Sequence, residues 1–257
     1  MNYGLYISAA GMRAQDARQT VIANNIANAN TTGFKRDLVV MQARANAVDE
    51  DPTMAQYRLP VVSQQGGGVN AFSGGIDLSQ GRFESTDSDT QVALNGPGFF
   101  TVQTASGEKL LTRDGNFHIN QEGKLAMYNG GSLVLDQNGQ PIQLNSSYKT
   151  AITSEGEVRQ SNSVGGSGVK LGIVDVKDSH QLIKRGANLL QARSPEALAP
   201  ATAQTTVIQH HLEESGVDPI LEMVNMMTGM RAFEANAKMI TYADTSMAQL
   251  NTVGRVA

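Results

Sequence analysis

Asp178, Ser179 and His180 are the residue types of a nucleophilic hydrolase, in which a base takes the proton of a hydroxyl and a carboxylate orients the base. Their adjacency argues for a turn instead, because members of a triad are recognised by spatial geometry and not by neighbouring positions. His210 and His211 carry imidazoles of the kind that bind zinc. Adjacent residues point to opposite faces of a strand or lie roughly 100° apart on a helix, which is poor geometry for one ion. Asp114-Gly115-Asn116-Phe117-His118 opens like a calcium loop, yet Ile119 stands where the turn needs glycine and Leu125 where a bidentate glutamate is required. Gly96-Pro97-Gly98 and Gly165-Gly166-Ser167-Gly168 lack the lysine and following helix of a phosphate loop. The expectation is a chain that is no enzyme, with no catalytic residues, no cofactor and no metal.

The elements that would have to position any chemistry point elsewhere. Met223, Met226, Met230, Phe233, Ala237, Ile240, Ala243, Met247 and Leu250 follow at steps of three or four, one face of a long amphipathic helix. Asp218 is a fitting N-cap, Pro219 suits the first turn and Glu222 places negative charge where the helix dipole favours it. Glu234 precedes Lys238 by one helical turn, which supports an exposed flank. From Pro219 to Val253 the rod would be roughly 50 Å long at about 1.5 Å per residue. A second helix is expected over Tyr3 to Asn30, with Leu5, Met12, Ile22 and Ile26 as a sparse stripe and alanines filling between them. Thr31-Thr32-Gly33 ends it. Two readings of the paired ends stand: closure onto one intramolecular core, or an adaptable, methionine-rich interface for other subunits.

The middle of the chain has a different texture. Phe34 to about Ala47 continues the first helix or runs extended, and Ala55 to Gly75, with Pro60 and two glycine runs, reads as irregular linker with short strands. From Thr90 to about Ala192, short apolar segments alternate with turn pairs such as Asp114-Gly115, Glu122-Gly123, Asn129-Gly130, Asn138-Gly139 and Glu155-Gly156. The fold class is therefore α+β: discontinuous terminal helices forming an assembly domain, and a central mainly-β domain, sandwich or irregular barrel. The expected divisions are 1–35 (assembly helix), 36–85 (linker), 86–200 (β domain) and 201–257 (return linker and assembly helix). The chain has 257 residues, a net charge of −4 and no cysteine. That charge gives no bulk electrostatic case for nucleic acid or an anionic membrane, and the absence of thiols excludes disulfides and thiolate metal sites. No run approaches the roughly 20 apolar residues that span a bilayer, and the N-terminus lacks a secretory signal pattern.

Asn24, Asn25, Asn28 and Asn30 form a block whose side chains offer both donors and acceptors on a helix they do not otherwise favour. Hydrogen bonds between packed neighbours are one reading, a solvated helix end the other. The block belongs to the first of three stretches that carry a family resemblance: Ile22 to Lys35 (IANNIANANTTGFK); Val92 to Phe100 (VALNGPGFF) followed by Leu111 to Phe117 (LTRDGNF); and Leu212 to Asp218 (LEESGVD) running on through Glu222-Met223-Val224 to Arg231-Ala232-Phe233-Glu234-Ala235-Asn236-Ala237-Lys238. In that order they resemble the signatures of the bacterial flagellar rod and hook proteins. The resemblance implies an axial protein that polymerises through its terminal helices and is exported through the flagellar type III apparatus. Its partners would be itself and other rod or hook subunits, with a peptidoglycan-proximal location, no nucleic acid and no membrane span. Subunit-assembly residues are then expected at Leu5, Met12, Ile22, Asn24, Asn25, Ile26, Asn28, Gly33, Phe34, Met223, Met226, Met230, Phe233, Asn236, Ala237, Ile240, Met247 and Leu250. Length resembles a rod protein more than a hook protein, and Asp37 to Gly68 is short for the extended segment of the distal type, which favours the proximal type. Gly216 departs from the family pattern, where asparagine commonly precedes the valine.

Overall fold

The computed structural model describes residues 3–44, 67–160, 168–176, 178–200 and 204–253. The sequence expectations for Pro60, for Gly66 and for most of Gly165 to Gly168 lie outside these residues. The chain divides into two units, each assembled from separate stretches: Met1–Ala27, Asp37–Gly74 and Asp218–Ala257 form the first, Asn28–Arg36 and Gly75–Val217 the second.

The first unit pairs two helices, α1 (Tyr3–Ala27) and α2 (Pro219–Val253). Helix α1 stops at Ala27, three residues before the boundary expected from sequence, because the chain turns there: the Thr31 amide donates to the Asn28 carbonyl at 3.1 Å. Helix α2 starts where its cap dictates. Asp218 Oδ1 accepts the amides of Ile220 at 3.0 Å and Leu221 at 3.2 Å, satisfying two of the donors that a helix start leaves without partners. Strands β1 (Asp37–Ala43) and β2 (Val69–Ile76) form a two-stranded sheet; the last two residues of β2 already belong to the second unit.

The second unit is mainly β. Its strands are β3 (Phe83–Ser85), β4 (Val92–Asn95), β5 (Phe99–Gln103), β6 (Lys109–Thr112), β7 (Phe117–Ile119), β8 (Leu125–Met127) and β9 (Leu133–Val134). Then follow β10 (Thr150–Ile152), β11 (Glu157–Gln160), β12 (Val169–Lys170), β13 (Ile173–Val176), β14 (Leu182–Gly186), β15 (Leu189–Ala192), β16 (Leu198–Pro200), β17 (Thr206–Gln209) and β18 (His211–Glu213). The largest sheet runs β14-β15-β6-β5-β9-β8-β7, with β13 also on β5 and β16 on β13. Three smaller sheets are β10-β11-β12, β17-β4 and β18-β3. The architecture is α+β as the sequence implied, and of the two forms expected for the β region the described strands close no barrel. The stretch after residue 201 that reads as a return linker contributes β17 and β18, which pair with β4 and β3.

Both faces of the large sheet are buried at its centre, which explains why its strands read as consecutive apolar residues instead of clean alternation. Phe100, Val102, Leu110 and Leu189 join one cluster with Val92, Leu94, Phe117, Leu125, Met127 and Val134. Phe99, Leu111 and Leu190 join the other with Ile76, Val176 and Leu182. The register accounts for the split: Val102 lies opposite Leu110, while Leu111 lies opposite Thr101 and Leu190. Successive side chains of one strand thus feed different cores. Phe100 and Phe117 meet edge to face with ring centroids 5.1 Å apart.

The candidates for chemistry fall where turns are needed. Asp178 Oδ1 accepts the His180 amide at 2.9 Å across a single 3₁₀ turn, Ser179–Gln181. His210 sits at φ 61° between β17 and β18, and His211 Nδ1 lies 3.0 Å from the carbonyl of Gln209, two residues back. Asp114 Oδ1 accepts the Asn116 amide at 3.0 Å and the Thr32 hydroxyl at 2.8 Å, the uses of a turn carboxylate. Gly115 is required by space: a Cβ there would collide with the Val92 carbonyl oxygen.

Candidate assembly surface

The two helices of the first unit run antiparallel. The Gly11 position on α1 abuts the Asn236 side chain, whereas the Gly229 position on α2 abuts Gln15 and Gln19. Glu222, Gly229, Asn236 and Ala243 recur at seven-residue steps on α2; the first two are buried and the last two half-buried. On α1, Ser8, Ala14, Ile22 and Asn25 are buried and Gly11 half-buried. Glycine against a polar side chain, Gly11 with Asn236 and Gly229 with Gln15 and Gln19, lets the backbones approach closely, and many of the larger apolar side chains of α2 are left over.

Those leftovers cover α2. Ile220, Leu221, Met223, Val224, Met227, Met230, Phe233, Met239, Tyr242, Met247 and Leu250 are all exposed, with Ile220 at 75% and Tyr242 at 69%. Of the α2 residues expected at an assembly surface, Met223, Met230, Phe233, Met247 and Leu250 are on this open surface, while Met226, Asn236, Ala237 and Ile240 are half-buried. Exposed apolar surface of this extent is uncommon on a protein that acts as a monomer.

The α1 residues divide differently. Leu5, Met12 and Ile26 are half-buried and Ile22 is buried. Asn25 is buried and turns its amide back on its own chain: Nδ2 donates to the Asp37 carbonyl at 3.0 Å, and Oδ1 accepts the Asp37 amide at 3.0 Å. Asn24 Nδ2 donates to Asp37 Oδ2 at 3.1 Å. Asn28 Oδ1 accepts the Thr31 hydroxyl at 3.3 Å in the second unit. Of the two readings of this block, hydrogen bonds to packed neighbours or a solvated helix end, neither describes these atoms, whose bonds are made within the chain.

Gly33 and Phe34 are interior residues and not surface ones. Both are buried in the second unit, with Gly33 at φ 65°, where a Cβ would collide with the backbone of Arg113 and Asp114. The Lys184 ammonium lies 3.9 Å from the Phe34 ring centroid and donates to the Lys35 carbonyl at 2.6 Å. Asn188 Nδ2 donates to the Thr32 carbonyl at 2.7 Å. The Gly33 amide donates to the Glu213 carbonyl at 2.7 Å and the Gly216 amide to the Phe34 carbonyl at 3.0 Å, so the segments adjoining the two helices are joined by backbone bonds.

At the centre of this clamp is a buried ion cluster that the sequence reading passed over. Lys35 Nζ lies 2.6 Å from Glu213 Oε1, and Arg113 lies 3.3 Å from Glu213 Oε2; the Lys35 and Glu213 side chains are 2% and 1% exposed. Glu213 Oε1 also accepts the Gly81 amide at 2.9 Å. Lys35 donates to the Ser79 carbonyl at 2.7 Å, and Arg113 to the carbonyls of Gly96 at 2.7 Å and Leu94 at 3.3 Å. Every charge thus has several partners, as buried ions require. Burial holds the Lys35 ammonium and the Arg113 guanidinium below their usual pKa values against the opposing pull of Glu213, and burial raises the Asp114 carboxyl above its own. A signal was present: Lys35, Arg113 and Glu213 each occur in a different one of the three signature stretches.

Three family descriptions match the chain in order: "Flagella basal body rod protein" over residues 5–35, "Flagellar hook protein FlgE/F/G D1 domain" over residues 93–160 and "Flagellar basal body rod FlgEFG protein C-terminal" over residues 208–253. Among whole proteins, the chain is 33% identical over 262 residues to the flagellar basal-body rod protein FlgG of Buchnera aphidicola subsp. Schizaphis graminum, covering 96% of this chain and 98% of that one. It is 33% identical over 264 residues to FlgF of Caulobacter vibrioides, covering all of both chains, and 30% identical over 262 residues to FlgG of Bacillus subtilis, covering 98% of each. At such identity over nearly the whole length, the chain belongs to the flagellar basal-body rod proteins, structural subunits of the flagellum.

Proposed function

We propose that this rod subunit polymerises through the open apolar surface of α2, with α1 as the strut that fixes α2 within each copy. The observation that carries the proposal is the division of α2 between contacts with α1 at Gly229 and Asn236 and a large apolar remainder that no described residue of its own unit covers. Packing that remainder against identical neighbours removes it from water at about 25 cal/mol per Å², a driving force available only on assembly. Repetition of one head-to-tail contact produces a helical tube when the rotation does not close. The role is structural, without catalysis. Subunits reach the growing rod through the flagellar type III apparatus. The shortness of the segment from Asp37 to Gly68 supports a place in the proximal rod, with a distal rod or hook-type position as the alternative.

Electron microscopy of basal bodies from a strain lacking this chain tests the proposal. Absent or truncated rods are expected, with the truncation point placing the subunit along the axis. Complete rods carrying normal filaments would remove the chain from the axis.

A further inference from the structure

We infer that Asn129 is a site of spontaneous deamidation in the folded protein, singled out from the two other asparagine-glycine pairs of the described residues by the hydrogen bonds it lacks. The reaction requires the amide nitrogen of the following glycine to attack the asparagine Cγ. A carbon–nitrogen bond forms, the side-chain amide leaves as ammonia, and the resulting succinimide is opened by water at either carbonyl to give aspartate or isoaspartate. No reagent other than water is consumed, and a neutral side chain becomes an anion.

The three pairs differ in whether that nitrogen is free to attack. At Asn138-Gly139, the Gly139 amide donates to the Asp136 carbonyl at 3.0 Å, and the Asn138 amide and side chain both bond Asp136, at 2.8 and 3.3 Å. At Asn95-Gly96, the Gly96 amide donates to Gln80 Oε1 at 3.2 Å, and Asn95 is held in β4 opposite Thr206. Asn129-Gly130 lies in the loop between β8 and β9, where the hydrogen bonds stop at the Met127 and Tyr128 amides. Asn129 is exposed, and Gly130 and Gly131 take φ of 83° and 63°, conformations that glycine leaves without cost. A Cβ added at Gly131 would meet nothing. The loop therefore lets Asn129 and Gly130 reach the reactive geometry without first breaking a hydrogen bond.

The test is to hold the purified full-length chain at mildly alkaline pH and 37 °C, in buffer and in concentrated urea, and to map deamidation and isoaspartate by peptide mass spectrometry. In buffer, Asn129 should convert on the order of tenfold faster than Asn95 or Asn138, the factor set by opening one or two hydrogen bonds at the protected pairs. In urea the three rates should converge, because only the fold distinguishes them. Equal rates in buffer, or a ranking that persists in urea, would overturn the inference.

Discussion

At the level of single residues, the buried cluster makes the sharpest claims. Glu213→Ala would strand the Lys35 and Arg113 cations in the interior, and removing one partner of a buried ion group costs about 3–5 kcal/mol. Replacing all three residues with apolar ones of similar volume leaves no stranded charge, so that triple variant should unfold at higher urea than Glu213→Ala; the reverse order would mean that the charges contribute through more than their mutual neutralisation. Two aspartates should give opposite pH slopes. Burial raises the Asp114 pKa, so the native state retains a proton that the unfolded chain has lost, and stability falls as pH rises from about 3.9 through the raised value. Asp114→Asn can keep the Thr32 and Asn116 contacts without that fall and should gain on the wild type between acid and neutral pH. Asp77 is held low: burial opposes its ionisation, but bonds from Ser79 and Arg36 outweigh it, so its contribution is present above the ordinary carboxylate value and lost as pH falls through the depressed one. Asp77→Asn should remove that acid-side loss, a change of at most ~1 kcal/mol at a partly exposed pair. Urea titrations across pH that ran parallel for wild type and both variants would contradict these assignments. Only the presence of these charges was legible beforehand: a signature motif shows which charges there are but not that segments 178 positions apart bring Lys35 and Glu213 together.

At the level of elements, α2 was legible at its start, while the sequence left open whether its apolar stripe would face α1 or another subunit. The Asp218 cap and Pro219 fixed the start, and the start agrees. The apolar stripe divides: Met226, Ala237, Ile240 and Ala243 are half-buried and Met223, Met230, Phe233, Met247 and Leu250 exposed, while the contacts with α1 at Gly229 and Asn236 involve residues that carry no hydrophobic signal. Pattern reading finds the greasy face of a helix; it cannot say how that face is shared between partners. The consequence is testable on Met223, Met227 and Met230, all about half exposed. Changing the three to glutamate should leave the isolated subunit's helicity and melting nearly unchanged, since exposed substitutions usually shift stability by within about 0.5 kcal/mol. It should abolish rod assembly in cells, and so should oxidation of these methionines to sulfoxides before assembly. Normal rods from the triple variant would show that the open face of α2 is not the contact. The asparagine block is a second instance: Asn25 was expected to serve a neighbour and instead mimics a backbone strand partner for Asp37, so its substitution by alanine reports on the fold of its own subunit.

At the level of the whole molecule, turn pairs and short apolar runs were enough to locate a β region, but its boundaries depend on pairings between distant segments. Strands β17 and β18 belong to it through β4 and β3, and residues 28–36 belong to it through the clamp; neither relation has a local period to read. The topology makes a discontinuous unit whose first segment is only a loop and yet supplies Lys35 to the ion cluster, the Gly33 and Phe34 backbone groups to the chain leaving at residues 213–216, and the ring under Lys184. If that loop is an integral part of the β unit, a fragment of residues 28–217 should fold without either helix and melt cooperatively. A fragment of residues 75–217 retains every strand of the unit from β3 onward but leaves Glu213 with Arg113 and the Gly81 amide, without Lys35, and exposes the apolar site of Phe34. It should lose several kcal/mol, about the cost of breaking a buried ion group together with a large apolar contact. Adding the peptide of residues 28–36 in trans should restore part of the loss, because the clamp is made of contacts that need no covalent link to the rest. Equal melting of the two fragments would assign residues 28–36 to the helices and not to the β unit, and the clamp would then be a consequence of folding instead of one of its causes.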